Sequence, residues 1–504
     1  MPDTPSFIQP SPPSWLAQFL QSLRELGIPV PGQDLRLLDP VRVVVRFKRE
    51  IRLPVGPKPA ELERLQGWRE ATRDLAKPLV RRLFTDEALG CLRLLSERAK
   101  RNHPEFQPTD FESFYYVVAR PRAPGGGVDH RALAQSLLQA KEIIANAYVD
   151  RPAPNGSPAT PLIGHVDEQY YREPAPDGID ADYANTVLGG DGQDESFIDV
   201  ERGWTLDHRD LAPLGIPCNG TISDASRWHG TPVLGVIGGQ NEGGLGCLGI
   251  VPNASVGVFA VSTASSRPNV IACAAEELAQ QDGGTLLIEV QVLLDVPASG
   301  QQDPPRLCGP VEALEADFQV IRTATAAGVS VVEVGGNGGR GGVPESNTAI
   351  DFNTYVDALS HPVLNRNFRD SGAILVSAAF APAVAGGTGP ARQRMPYAPY
   401  GNRIDCFAWG ERIVSCSSEP GGDKTMYTLD FGGTSGASAI IAGAAVALRG
   451  ALSKSGKPID PATLRARLSD PGGTPSFWTP PPGSLPGTPN PEPIGVMPDL
   501  RKLV

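Results

Sequence analysis

FGGTSGASAIIAGAAVAL, residues 431–448, joins two glycines and a threonine to a long run of small and apolar residues. Small side chains let a helix approach its neighbours closely, so the run reads as a helix passing through a packed interior, with Ser435 at its start. The first N–H groups of a helix have no acceptor within the helix, and a hydroxyl there sits beside partial positive charge. Taken alone, a serine in this place is an N-terminal cap. What else the chain brings to the same point decides its meaning.

Short apolar runs alternate with helical patterns upstream of Ser435: FIDV (197–200), ASVGVFAV (254–261), IACAAEELAQQ (271–281), TLLIEVQVLL (285–294), VEALEADFQVIRTATAAG (311–328), VSVVEV (329–334) and AILVSAAF (373–380). That alternation predicts an α/β domain with a mostly parallel central sheet and helices on both faces. Two of the strands end in suggestive residues. FIDVERGWTLDHRDL (197–211) places Asp199 at the end of an apolar strand, and WHGTPVLGVIGG (228–239) places His229 before a run of helical character. A third stretch, VVEVGGNGGRGG (331–342), ends an apolar strand in six glycines and Asn337. Gly336, Gly338 and Gly341 spell G-x-G-x-x-G, but a dinucleotide turn must open a helix, and VPESNTAIDFN with Pro344 follows instead.

The order Asp, His, Ser is one of the known arrangements of the serine-nucleophile triad. In their local contexts the motifs resemble those of the subtilases, the subtilisin-like serine proteases. Asp199, Gly203, His208, Asp210 and Leu211 stand in the places of the family's Asp motif. His229, Gly230, Thr231, Val233 and Gly235 match its His motif, and Gly433, Thr434, Ser435 and Ala437 its Ser motif. Asp199 precedes His229 by 30 residues and His229 precedes Ser435 by 206, room for the sheet between them. QYYREPAPDGIDADYA (169–184) resembles the family's entry segment, so the likeness spans roughly residues 160–470.

The resemblance implies a serine endopeptidase acting on protein or peptide substrates through an acyl-enzyme. Ser435 attacks the scissile carbonyl, His229 shuttles the proton, and Asp199 orients His229. Asn337, after the Gly335-Gly336 pair, implies the side-chain donor of the oxyanion hole, with the two glycines leaving room for substrate backbone. Departures from the family pattern carry expectations of their own. Ala439 replaces a proline four residues after the nucleophile. Glu289-Val290-Gln291 stands where the specificity-pocket strand reads Ser-Leu-Gly, so Gln291 narrows that pocket. Glu289 or Glu333 facing it would favour a basic residue at the cleavage site. The alternative from another class is a catalytically silent subtilase fold that binds or scaffolds peptides.

The remaining chain divides by composition. Residues 1–38 form a Pro-rich arm around the amphipathic WLAQFLQSLREL. Residues 39–152 read as a small α+β domain. Its strand candidates are VRVVVRFK (41–48), SFYYVVAR (113–120) and IANAYVDRP (144–152), and its helix candidates are 60–76, 78–100 and HRALAQSLLQAKEII (130–144). Its size and place resemble a prodomain, which implies inhibition in cis through IANAYVDRPAP; a permanent regulatory domain or a separate inhibitor protein is the rival. RPAPNGSPATP (151–161) reads as a linker. Residues 471–504 hold ten prolines and read as a surface-wrapped or disordered tail.

Of 504 residues, 40% are hydrophobic, and the net charge is −11, which argues against a polyanion-binding surface and so against nucleic acid. No apolar span suggests a membrane segment, and the N-terminus has no Sec signal pattern. Seven dispersed cysteines read as reduced thiols, which favours a cytoplasmic protein, or one secreted without a Sec signal. No metal or cofactor is required by the motifs. The acidic GGDGQDE (189–195) leaves calcium as the one cation to consider.

Overall fold

The computed structural model describes residues 41–121, 128–153, 161–162, 168–244, 246–262, 266–296, 305–339, 348–457, 460–478 and 490–504. The expected N-terminal arm and its amphipathic segment, and Gly341 of the glycine loop, lie outside them. The chain forms two compact units, one of residues 1–85, 112–149 and 263–266, the other of residues 86–111, 150–262 and 267–504.

The first unit is built on a four-stranded antiparallel sheet of β1 (Arg42–Phe47), β2 (Leu75–Arg82), β3 (Phe114–Pro121) and β4 (Ile144–Asp150), in the order β2-β3-β1-β4. Val43, Val45 and Phe47 of β1 are buried, and so is Val44 on the opposite face, while Val41 ahead of the strand is exposed. Sequence patterning placed helices over 60–76 and 78–100, but residues 75–82 pair with β3 and only short helices, Pro59–Leu62 and Trp68–Ala71, precede them. Pro78 disfavours a helix, and pairing with β3 supplies the strand's hydrogen bonds instead. A helix over His130–Gln139 is capped by the Asp129 carboxylate, which accepts from the backbone N–H groups of Arg131 and Ala132 at 3.0 Å. It ends earlier than the pattern suggested, and Ile144 opens β4 instead.

The second unit carries the expected α/β layers. Its sheet runs through β5 (Ser196–Glu201), β6 (Cys218–Asn219), β7 (Ser255–Ala260), β8 (Gly284–Ile288), β9 (Val329–Val334), β10 (Ile374–Ala379), β11 (Cys406–Trp409), β12 (Thr474–Pro475) and β13 (Val496–Met497). Their spatial order is β12-β13-β11-β10-β9-β8-β5-β7-β6, parallel except where β12 meets β13. Every residue of β8, β9, β10 and β11 is buried, which is why these strands read as continuous apolar runs rather than alternating ones.

Helix α1 (Asp86–Asn102) packs on α3 (Arg267–Gln280) and α4 (Glu315–Ala326), so it belongs to the second unit although the sequence assigned it to the N-terminal domain. Helices α2 (Arg227–Gly238) and α5 (Gly433–Lys454) pack against each other, and α5 lies along β8 to β11. By length and composition α5 is apolar enough to cross a membrane, contrary to the reading that no span is; buried almost throughout, it is the core helix of the sheet. The C-terminal segment read as a tail instead supplies β12, β13 and a last turn of helix, Leu500–Leu503. Four cysteines lie in two close pairs: Cys91 Sγ is 2.7 Å from Cys273 Sγ, and Cys247 Sγ is 2.8 Å from Cys416 Sγ.

Candidate active site

The site forms where the carboxyl ends of parallel strands meet the starts of α2 and α5, the usual crevice of an open α/β sheet. His229 is the third residue of α2, and its position is fixed by how that helix begins. Thr231 Oγ1 donates to the Arg227 carbonyl at 2.6 Å and accepts from Thr205 N at 2.9 Å, tying the first turn to the loop after β5. From His229 to Gly238 the helix is buried throughout, and Ser415 Oγ donates to the Pro232 carbonyl at 2.6 Å. The imidazole is held edge-on by Trp228 and Phe431, with ring centroids at 5.5 Å and 6.0 Å.

Ser435 is the third residue of α5 and is buried. Its Oγ lies 3.0 Å from His229 Nε2. The motifs thus bring Ser435 and His229 into contact. The helix runs unbroken through Ala439, which preserves the turn without a proline.

The carboxylate facing the other imidazole nitrogen is not the expected one. Asp199 accepts a hydrogen bond from Trp204 Nε1 at 2.7 Å through Oδ2, and its Oδ1 is buried without a partner. Glu201 Oε2 instead lies 2.7 Å from His229 Nδ1, an ion-pair contact. The two acids are two residues apart on β5 and share a face. Only Glu201, the last residue of the strand, reaches the sheet's carboxyl edge where α2 begins; Asp199 lies one step deeper, beneath Trp204. Their electrostatics diverge accordingly. Burial, then the neighbouring Glu201, pushes the Asp199 carboxyl well above its ordinary range. Burial also pushes Glu201 up, but the charge and hydrogen bond of His229, together with Arg202, outweigh it and leave Glu201 below its ordinary value. Glu201 is thus the anion of the pair. The strand expected to end at Asp199 runs two residues further, and its last residue is Glu201.

Asn337 sits in the loop after β9, with its amide fixed from both ends. Oδ1 accepts from Thr434 N at 2.8 Å and from Thr434 Oγ1 at 3.1 Å, which turns Nδ2 away from Thr434. The backbone N–H of Asn337 donates to Gln291 Oε1 at 2.9 Å. Gln291, expected to narrow a pocket, thus braces the asparagine loop. Gly336 has φ 96°, and a Cβ there would come within 2.5 Å of the Cys308 carbonyl; at Gly335 it would meet the Val376 carbonyl at 2.6 Å. These glycines let protein backbone pack against protein backbone, so the space expected for substrate at both positions is already filled.

Glu289 follows β8 and is 2% exposed, with Ser438 Oγ 2.6 Å from its Oε1. Glu333 is also buried, and its Oε1 accepts from Glu312 N at 2.9 Å. Neither presents charge to an open pocket, because burial, and then a neighbouring acid, pushes both carboxyls well above the ordinary range. The expected preference for a basic residue loses its basis here. His208 and Asp210 are structural. His208 Nε2 lies 2.8 Å from the Met426 carbonyl, and Asp210 accepts from Glu242 N, Cys247 N and the Tyr427 hydroxyl.

The acidic loop considered for calcium is committed elsewhere. Asp191 accepts from Asn253 Nδ2 and Gln193 N, Asp194 pairs with Lys454, and Glu195 pairs with Arg449 at 2.7 Å. With each carboxylate already matched to an amide or a cation, this donor set does not fit a metal ion.

One further segment reaches the site's edge. Pro152 forms an antiparallel bridge with Val292, Ala153 N donates to the Gln291 carbonyl at 3.2 Å, and Leu293 N donates to the Arg151 carbonyl at 2.9 Å. Arg202, beside Glu201, donates to the Ala153 carbonyl at 3.0 Å. Arg151–Ala153 therefore lies as an added strand along residues 291–293, the strand whose Gln291 braces Asn337.

Comparison with known proteins bears on this arrangement. Residues 214–470, about half of the chain, match the model of the subtilase family; that span includes His229, Asn337 and Ser435. A solved structure described as a cold adapted subtilisin-like serine proteinase is similar at 20% identity and a TM-score of 0.37, over 55% of this chain and 82% of that one. No curated protein matches. On the family match, the chain belongs to the subtilase family of serine peptidases.

Proposed function

We propose that the protein is an active serine endopeptidase working through an acyl-enzyme, with Ser435 as nucleophile, His229 as general base and Glu201 as the carboxylate that orients the imidazole. The observation that carries the proposal is His229 held between Ser435 Oγ at 3.0 Å and Glu201 Oε2 at 2.7 Å. A serine hydroxyl becomes nucleophilic only as its proton leaves, and imidazole accepts it near neutral pH. Glu201 fixes the ring and stabilises the imidazolium that results. In the tetrahedral intermediate, Asn337 Nδ2 and the backbone N–H of Ser435 receive the negative oxygen.

In this reading the protein's own N-terminal region restrains it. An extended substrate would add a strand along residues 291–293, and Arg151–Ala153 already takes that edge.

A fluorophosphonate probe with peptide turnover tests the chemistry. Wild type should label at Ser435, Ser435→Ala should not, and Glu201→Ala should lose about 10⁴-fold in kcat, the loss usual for an orienting carboxylate. Asp199→Asn, which keeps an acceptor for Trp204, should stay within about tenfold of wild type. An unlabelled wild type would leave a silent peptide-binding fold as the reading. A larger loss for Asp199→Asn than for Glu201→Ala would return the orienting role to Asp199.

A further inference from the structure

Three carboxyl groups surround the His229–Ser435 pair, and the proposed chemistry uses only Glu201. Glu289 is the one attached to the nucleophile's own helix. Its backbone N–H donates to the Val200 carbonyl at 3.1 Å, which holds it beside the end of β5. Its side chain reaches α5, where Ser438 Oγ is 2.6 Å from Glu289 Oε1 and 2.9 Å from the carbonyl oxygen of Ser435.

A hydroxyl carries one proton, and here it faces two oxygens. If Glu289 were an anion, Ser438 would have to give that proton to it, and the Ser435 carbonyl would lose its donor. If Glu289 is the neutral acid, its own O–H donates to Ser438 Oγ and Ser438 donates onward to Ser435. Both short contacts are then satisfied. The other oxygen, Glu289 Oε2, is buried with no hydrogen-bond partner, a cost that rises steeply for a charged group.

We propose that Glu289 is a positioning residue for Ser435, held as the neutral acid and acting through Ser438 on the nucleophile's turn of α5. The proposal deepens the protease reading and rests on it for its effect on rate. The surroundings agree with the geometry. Burial first, then the neighbouring acids Asp199 and Glu201, disfavour the Glu289 anion, while hydrogen bonding from Ser438 favours it less strongly. The titratable groups facing it are Asp199 and Glu201 on β5 and His229 on α2; Glu333 on the adjoining β9 is taken up by Glu312 N. With Asp199 and Glu289 both neutral, Glu201 is the one ionised carboxylate against His229 among the described residues. When Glu289 ionises at alkaline pH, it takes the Ser438 proton, releases the Ser435 carbonyl and adds a second negative charge to the site.

The test compares Glu289→Gln with Glu289→Ala. A glutamine amide donates to Ser438 as the neutral acid does, and alanine cannot. At neutral pH, Glu289→Gln should keep kcat within about threefold of wild type, while Glu289→Ala loses about tenfold with KM little changed, the scale of one lost hydrogen bond. Wild type should also show an alkaline decline in kcat that is missing from Glu289→Gln. The proposal fails if Glu289→Gln is as impaired as Glu289→Ala at neutral pH, since a charge would then be needed. It fails equally if Glu289→Ala keeps the wild-type rate and pH profile. A second readout does not depend on activity: in the Ser435→Ala protein, Glu289→Gln should leave Tm unchanged near pH 4 and raise it progressively toward pH 9. A pH-independent difference there means Glu289 is not held neutral, whether or not the protein is a peptidase.

Discussion

At the scale of single residues the site depends on how few atoms each side chain has free. In the proposed mechanism Asn337 presents Nδ2 to the oxyanion, since its Oδ1 is occupied by Thr434 and its backbone N–H by Gln291. Asn337→Ala is expected to lower kcat by about 10² to 10³ while KM changes little, since the charge it meets exists only in the transition state. Gln291→Ala leaves the amide in place but unbraced, and a smaller loss, of about tenfold, is expected. Steady-state kinetics on one peptide substrate check both, and a normal kcat for Asn337→Ala would refute its role. Residue identity was legible in the sequence for His229, Ser435 and Asn337, because each stands in a short motif with fixed neighbours. It was not legible for the orienting acid. Asp199 and Glu201 are both acids on the same face of one strand, and only the position of α2 tells them apart.

At the scale of elements, the parallel strands were readable as apolar runs because burial on both faces leaves no solvent-facing positions within them, so polar residues there are few. The strand at residues 75–82 was not readable, since LAKPLVRR has no alternation and takes its structure from β3. Arg151–Ala153 is the element on which the proposed restraint rests. Its backbone hydrogen bonds to residues 291–293 are those an extended substrate would need. Replacing Arg151, Pro152 and Ala153 with glycines should weaken the added strand by raising the entropy it loses on ordering. Loss of the Arg151–Asp295 pair at 3.1 Å acts in the same direction. Peptide hydrolysis by this variant is expected to show an increased kcat/KM relative to the intact chain. An unchanged kcat/KM would mean that the segment does not compete with substrate.

At the scale of the molecule, the second unit buries several acids that have no cation directly against them. Asp199, Glu289 and Glu333 all have carboxyls pushed well above the ordinary range, by burial first and a nearby acid second. Such a group keeps its proton in the folded state after the unfolded chain has lost it. Its contribution to stability is therefore complete below the unfolded-state value of about 4 and is lost as pH rises through the folded one. Glu333 lies away from His229 and isolates the effect. Glu333→Gln should match wild type in Tm near pH 4 and exceed it by a growing margin toward pH 9; a margin independent of pH would count against the burial argument. Composition and pattern alone determined that this chain makes a parallel α/β layer structure whose core helix opens at Ser435, which follows from local rules: helix starts, small residues and continuous apolar runs. That a histidine and an asparagine join Ser435 was an expectation carried by the resemblance of their motifs to the subtilases. Only the tertiary structure decided which carboxylate serves the histidine, that Gln291 braces rather than blocks, and that Glu289 turns inward to α5. Each of those depends on which strand end meets which helix, a distance between residues far apart in sequence that no local pattern encodes.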